Sequence, residues 1–410
     1  MVKLLHTADI HLDSPLKSLA LRDPELRERL QSATRTALTR IVDAALDHDV
    51  AAVLIAGDLF DGTERSARTA AFLTQALDRL DRAGIRVFYI KGNHDAENPI
   101  TGEIALPGNV HVFDGRGGKV ALAEGIWIHG VSFAQRHAPD SLLPKFPAPV
   151  PGAVNVALLH SSLAGAAGHD VYAPCTVGEL TAMGFDYWAL GHVHARQVHR
   201  TDPWIVMPGM PQGRDIGEAG PKTATLIEIG DGIAVSEIPT SAVEFLTHAI
   251  DIGGEAAEDD AALRQTLRAA LHDLATGLVS DTGVLRLRLT GAPARRWQIL
   301  RDRDVLAEQV ADMARDTGRL WLDRLELDLA ENAPEGAGAT DALARLMQEI
   351  RAEPGFHATA RAEVETVLAE LPQARRAALM PDSDALDRLA QEIATRGAEA
   401  MVARMKGTGS

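Results

Sequence analysis

Cysteine is almost absent. Cys175 is the only one among 410 residues, so no disulfide can form within the chain, and a reducing cytoplasm is the expected setting. Long apolar runs are missing too. No stretch approaches the roughly 20 apolar residues that a bilayer-spanning helix needs, and Met1-Val2-Lys3-Leu4 leads into a strand-like segment with no signal-type region before it. No membrane association is therefore expected. Positive charge is scarce: 41 Lys and Arg face 57 Asp and Glu, a net charge of −16. Phosphate neutralisation by basic side chains supplies most non-specific affinity for nucleic acid, so the balance speaks against a chain that grips nucleic acid over a broad face. Finally, the glycines of Gly115-Arg116-Gly117-Gly118-Lys119 lack the Gly-Lys-Ser/Thr spacing of a phosphate loop. They read as a hairpin turn before a strand at Val120, and no ATP site is expected.

Five short polar clusters are present, in order along the first half of the chain: Asp9 with His11, Asp58, Asn93 with His94, His160, and His192 with His194. Each follows a short apolar run of the kind that forms a buried strand, such as Ala51–Ala56 before Gly57-Asp58 or Val154–Leu159 before His160. Parallel strands of one layered sheet deliver their carboxyl ends to a common edge, so these distant groups can converge. Two divalent ions about 3.5–4 Å apart need a ligand between them, and a carboxylate with two oxygens suits that place; Asp58 is the candidate. Asp9 and His11 sit two residues apart and chelate one ion. His192 and His194 share that spacing and either divide between the ions or share one. Asn93 offers a neutral oxygen that limits negative charge, which favours an anionic substrate. Singly, each cluster is as well explained by a turn or a structural histidine; their joint occurrence in this order is not.

Over roughly the first 240 residues the chain resembles the calcineurin-like metallophosphoesterase superfamily. His6-Thr7-Ala8-Asp9-Ile10-His11-Leu12-Asp13, Gly57-Asp58-Leu59-Phe60-Asp61 and Pro208–Lys222 resemble more closely the SbcD-type DNA repair nucleases of the YhaO-like branch. The resemblance implies an α/β fold, a four-layer α/β/β/α sandwich with a smaller α+β capping domain and a helical C-terminal tail. It also implies two divalent ions, manganese above all, although these ligands would accept iron, zinc or cobalt. One ion would take Asp9, His11, Asp58 and His194; the other would take Asp58, Asn93, His160 and His192. His94 would donate to the phosphate or leaving oxygen, with Asp95 orienting its ring, while a metal-activated hydroxide attacks phosphorus. Protein Ser/Thr phosphatases carry Arg where this chain has Gly62 and Glu where it has Asp95, which excludes that branch. The implied function is a metal-dependent DNA nuclease, an exonuclease subunit of a repair complex. The alternatives are a small-nucleotide phosphodiesterase and a DNA-binding scaffold with a vestigial metal site.

The acidic balance counts against a nuclease that works alone; bound metals and a partner subunit would offset it. Arg65, Arg68, Arg196, Arg200, Arg214 and Lys222 are the candidate contacts to the DNA backbone, Arg214 foremost. Helices are expected over Pro24–Asp47 and Ser66–Ala83 from their apolar spacing. They cover the sheet, and the resemblance adds a homodimer bundle as an expectation. Phe133–Pro151 reads as an irregular loop, and His129 as a packing residue.

Residues 1–240 are expected to form the catalytic domain and 241–331 the capping domain. Its expected order is strand (Phe245–Ile252), helix (Asp260–Thr276), strand (Val284–Thr290), a mainly helical stretch (Trp297–Thr317) and strand (Trp321–Leu329), with Arg295 and Arg296 as its candidate DNA contacts. Residues 332–340 read as a linker and 341–410 as a helical region, with helices at Asp341–Ala352, Arg361–Leu371 and Asp384–Arg404. By resemblance, this tail docks on an SbcC-like or YhaN-like ABC-type ATPase.

Overall fold

The apolar runs that precede the polar clusters all form strands: β1 (Val2–Thr7), β2 (Ala52–Ala56), β3 (Arg86–Ile90), β7 (Val154–His160) and β8 (Tyr187–Gly191). The structure is a computed structural model, and the residues described are 1–16, 23–61, 66–96, 106–163, 172–330, 339–373, 375–376, 380 and 382–406. Every residue of β2 and β8 is buried, as expected where a strand is covered on both faces.

Two six-stranded sheets account for this burial. The first has the order β12-β11-β1-β2-β3-β4, adding β4 (Val110–Val112), β11 (Thr223–Ile229) and β12 (Ile233–Pro239). The second has the order β5-β6-β7-β8-β10-β9, adding β5 (Gly118–Ala123), β6 (Ile126–Gly130), β9 (Gln197–Thr201) and β10 (Trp204–Met207). β1, β2, β3 and β4 run parallel, as do β6, β7, β8 and β10. Leu4, Leu54, Phe88, Ile128, Leu158, Tyr187 and Val206 form one buried cluster drawn from both sheets.

On the outer side of the first sheet lie α1 (Pro24–Asp47) and α2 (Ala67–Arg82). Asp23 caps α1 by accepting from the Glu25 and Leu26 amides, with Pro24 in the first turn. Leu38, Ile41, Val42 and Ala45 of α1 pack with Leu73, Leu77 and Leu80 of α2 against Leu5, Val53 and Val87. The first half of α1 does something else: Leu26, Leu30 and Ala33 pack on Val243, Phe245, Val284 and Trp321. The second sheet is covered outside by α3 (Val177–Ala182) and by the Phe133–Pro151 segment, through Leu180, Phe133, Leu142 and Phe146. That segment is irregular apart from one short 3-10 turn at Leu143–Lys145. His129 packs as expected, with Nε2 3.0 Å from Asn155 Oδ1. The turn at Gly115–Gly117 does not close a hairpin, because β4 belongs to the first sheet and β5 to the second; the paired hairpin is β5 with β6, through Glu124-Gly125.

A third sheet, β13-β14-β15, comprises Val243–Asp251, Thr282–Gly291 and Leu320–Leu329. The chain divides into two compact units, residues 1–247, 274–286 and 319–323 in the first and 248–273, 287–318 and 324–410 in the second. Segments beyond residue 240 thus count with the first unit. Arg319 donates to the Ala275, Leu278 and Ser280 carbonyls, and Arg40 to Asp281. The later helices are α4 (Asp260–Gly277), α5 (Arg296–Arg301), α6 (Arg303–Asp316), α7 (Ala339–Arg351), α8 (Pro354–Ala369) and α9 (Ser383–Lys406). In the second unit Val364 and Leu368 of α8 pack on Leu386 and Ala390 of α9. The expected linker at 332–340 lies mostly outside the described residues. No helix among them is long and apolar enough to cross a membrane.

Candidate metal centre

Each ligand candidate leaves its strand at the same edge: Asp9 and His11 after β1, Asp58 after β2, Asn93 and His94 after β3, His160 at the end of β7, and His192 and His194 after β8. Backbone bonds lace the loops together. The Asp9 amide donates to Gly57 O at 3.0 Å, the His11 amide to Asp58 O at 3.1 Å, and the His192 amide to Asp9 Oδ2 at 3.0 Å. Four of these non-glycine residues hold a left-handed backbone, with φ of 51° at Asp9, 43° at His11, 51° at Asp58 and 105° at His192. Such strain persists only where the surrounding structure over-determines it, and it marks functional sites. Gly57 and Gly92 explain why glycine precedes Asp58 and Asn93. A Cβ at Gly57 would strike the His160 ring, and one at Gly92 would strike the Asp58 carboxylate.

Three overlapping groups form: Asp9, His11 and His194; His11, Asp58 and His94; Asp58, His160 and His192. Asp58 lies between them, its Oδ2 3.4 Å from His160 Nε2 and 3.9 Å from His11 Nε2, while Oδ1 accepts from the His94 amide at 2.9 Å. His160 Nδ1 donates to the Ala56 carbonyl at 2.9 Å, which turns Nε2 toward the Asn93 Oδ1 at 3.0 Å. Likewise His11 Nε2 and His194 Nε2 face each other at 3.3 Å. Once the rings lose their second proton, these nitrogens and oxygens are acceptors turned toward one another in a buried site, the arrangement a shared cation satisfies, so the residues fit two divalent ions. One would sit among Asp9, His11, Asp58 and His194, and the other among Asp58, Asn93, His160 and His192.

Electrostatics agree. Burial opposes charge on His160, yet Asp58 and Asp9 raise its pKa to about 9. Burial also works against ionising Asp58, and the facing His160, His11 and His94 nonetheless hold it well below the usual carboxylate range. Until metal enters, protonated imidazoles supply the positive charge these carboxylates require.

His94 is at the edge of the site, its side chain 29% exposed, and burial lowers its pKa, which favours the neutral ring. The carboxylate beside it is Asp61, with Oδ1 3.4 Å from His94 Nδ1 and 3.6 Å from His11 Nδ1. Asp95, expected to orient that ring, accepts instead from the Leu59, Phe60 and Gly92 amides at 3.2, 3.0 and 3.1 Å. It braces the loops of Asp58 and Asn93 to each other.

The basic candidates are engaged internally. Arg196 bonds Thr225 Oγ1 and pairs with Glu237 at 3.0 Å; Lys222 donates to the Ala219 carbonyl at 2.9 Å; Arg200 donates to the Asp202 carbonyl. Arg214 pairs with Glu218 at 3.0 Å, Arg68 is exposed, and Arg65 lies outside the described residues. Of the later candidates, Arg295 pairs with Asp260 and Arg296 with Glu399. Sequence reasoning missed Glu218, whose carboxylate is 2.7 Å from His194 Nδ1; its one visible signal was an acid within a loop otherwise read for its basic residues.

Residues 2–196 match the family model for calcineurin-like phosphoesterases, and residues 245–330 match the middle domain of metallophosphoesterase YhaO. Over 239 residues the chain is 35% identical to the uncharacterized metallophosphoesterase YhaO of Bacillus subtilis, covering 56% of this chain and 57% of that protein. Over 204 residues it is 26% identical to the DNA double-strand break repair protein Mre11 of Saccharolobus solfataricus, covering 48% and 50%. The chain thus spans about half the length of these curated relatives. Among solved structures, a dimetal phosphatase from Danio rerio covers 58% of this chain and 98% of its own, at 11% identity and a TM-score of 0.39.

Proposed function

Through residues 2–196 the chain belongs to the calcineurin-like phosphoesterases, and from that premise we propose that it is a nuclease that hydrolyses phosphodiester bonds in DNA with two divalent ions, manganese first among them. The observation that carries this reading is Asp58, whose Oδ2 lies 3.4 Å from a ligand of one ion and 3.9 Å from a ligand of the other. The repair protein Mre11 among the relatives supports DNA as the substrate class.

When bound, the ions supply Lewis acidity and lower the pKa of water. The chain does the rest. Asp58 and the neutral Asn93 oxygen hold the two positions without saturating them with negative charge, so an anionic phosphate is admitted. His94, at the edge, offers a ring N–H to the phosphoryl or leaving oxygen, and the Asp61 carboxylate 3.4 Å from its Nδ1 favours positive charge on that ring. Asp95 keeps the Asp58 and Asn93 loops in register.

The wider DNA surface is proposed in the second unit, which offers more arginines together than the metal centre, though Arg288 and Arg396 there also pair with Glu326 and Glu392. There Arg288, Arg303, Arg324 and Arg396 line a cavity of about 930 Å³. The α7–α9 tail, with Leu346, Val367, Ile393 and Met401 exposed, is the proposed dock for an ABC-type ATPase subunit; deleting residues 340–410 without weakening that association would remove the idea. The homodimer is carried as a proposal, and sedimentation velocity showing only monomer at micromolar concentration overturns it.

The test is cleavage of labelled single- and double-stranded DNA with Mn²⁺, beside Asp58→Ala and a chromogenic phosphodiester. Manganese-dependent cleavage abolished in the variant supports the nuclease. Diester turnover with intact DNA, alone and with the ATPase, selects the small-nucleotide phosphodiesterase instead.

A further inference from the structure

The loop after β10 is built against one metal ligand. Gly209 passes so close that a Cβ there would meet the His194 carbonyl at 2.7 Å, and the Met210 amide donates to that same carbonyl at 3.1 Å. Further along, Asp215 caps the short turn Ile216–Glu218 and sets the Glu218 carboxylate beside the His194 ring. Oε1 lies 2.7 Å from His194 Nδ1 and 3.0 Å from the Arg214 guanidinium. Oε2 accepts from the Arg214 amide at 2.7 Å. The Glu218 side chain is only 16% exposed.

We propose that Glu218 is a positioning residue for the ion held by Asp9, His11 and His194: it fixes His194 as the Nδ1–H tautomer, so that Nε2 offers its lone pair to the metal, while Arg214 cancels the charge that Glu218 would add to the site. The tautomer follows from the competing contacts. Arg214 also approaches His194 Nδ1 at 3.2 Å, but a guanidinium only donates, and a ring nitrogen already donating to Glu218 has no lone pair to give it. The hydrogen bond at one imidazole nitrogen decides which nitrogen meets the metal, and carboxylate partners of this kind are worth about 10–100-fold in metal affinity. Arg214, expected from sequence to contact substrate, works through Glu218 instead: without it, the ion beside His194 would face one more uncompensated carboxylate and the site would hold less attraction for a phosphate.

The inference rests on the two-metal reading, and its test is independent of catalysis. The full-length metal-free protein is titrated with Mn²⁺ by calorimetry as wild type, Glu218→Gln, Glu218→Ala and Arg214→Met, and each metal-free form is melted. The expected result is that both Glu218 variants bind one of the two ions about 10–100-fold more weakly and keep the other, while Arg214→Met, which leaves the Glu218 carboxylate uncompensated, weakens neither. Wild-type affinity for both ions in the Glu218 variants overturns the inference alone. So does an equal loss at both ions with a lowered melting temperature, which marks a structural role. A wild type that binds no ion overturns the two-metal reading as well.

Discussion

Two histidines of the first unit, His94 and His6, have opposite uses. His94, half-exposed with Asp61 at its back, is placed to handle a proton on the substrate, a contribution of about 10²–10⁴ in rate. His94→Ala should therefore lower kcat by that order while leaving Mn²⁺ affinity as in wild type; a parallel loss of affinity, read by calorimetry, would make it a ligand instead. His6 is fully buried and joins the two sheets, with Nε2 3.0 Å from the Leu190 carbonyl and Nδ1 3.1 Å from the Tyr187 hydroxyl. Burial drives its pKa down to about 3, so the folded protein holds it neutral. The unfolded chain binds the proton near pH 6.5, and stability contributed by the neutral ring is present above that pH and lost as pH falls toward 3. Between pH 6.5 and 5 the loss is about 1–2 kcal/mol. His6→Gln should flatten that slope in denaturant melts at the two pH values; an unchanged slope would assign it to other groups.

At the scale of elements, α1 serves two cores, and its N-terminal half is the part that sequence periodicity could not place. Leu30 is 2% exposed against Phe245, Val284 and Trp321, so Leu30→Ala should cost about 2–5 kcal/mol, read as a shift in denaturant midpoint; a cost below about 1 kcal/mol would mean that the contact is loose. Much else here was legible beforehand. The strands that end in ligands announce themselves because a run buried on both faces must be continuously apolar and the polar ligand must follow where the strand stops. The gathering of polar residues at the strand ends was readable for the same reason. The parts that were not legible depend on pairings remote in sequence. β11 lies antiparallel beside β1, 226↔5 in register, and nothing local in either strand encodes that neighbour. Asp95 could be read as a partner for the adjacent His94, but a residue's chain neighbour is not its spatial one: the loop turns its carboxylate toward the Leu59 and Phe60 amides. Glu218 reaches His194 across 24 residues through a turn whose geometry only the folded loop fixes.

For the whole molecule, the ligand sites are shared between sheets, three strands of the first and two of the second. Ion binding should therefore stabilise the entire first unit and not one loop. At a Mn²⁺ concentration of about 100 times Kd the gain is about 2.7 kcal/mol per ion, seen as a higher melting temperature for the cooperative transition; a rise confined to local loop protection in hydrogen exchange would contradict it. The same distribution bears on a chain whose single thiol is buried. His11 and His194, which would hold the same ion, lie 183 residues apart, and closing so long a loop by a cross-link is worth on the order of 5 kcal/mol in the chain-entropy model. An ion bound there would act as a removable rivet in the place of a disulfide, and a chelator would be to this fold what a reductant is to a disulfide-linked one.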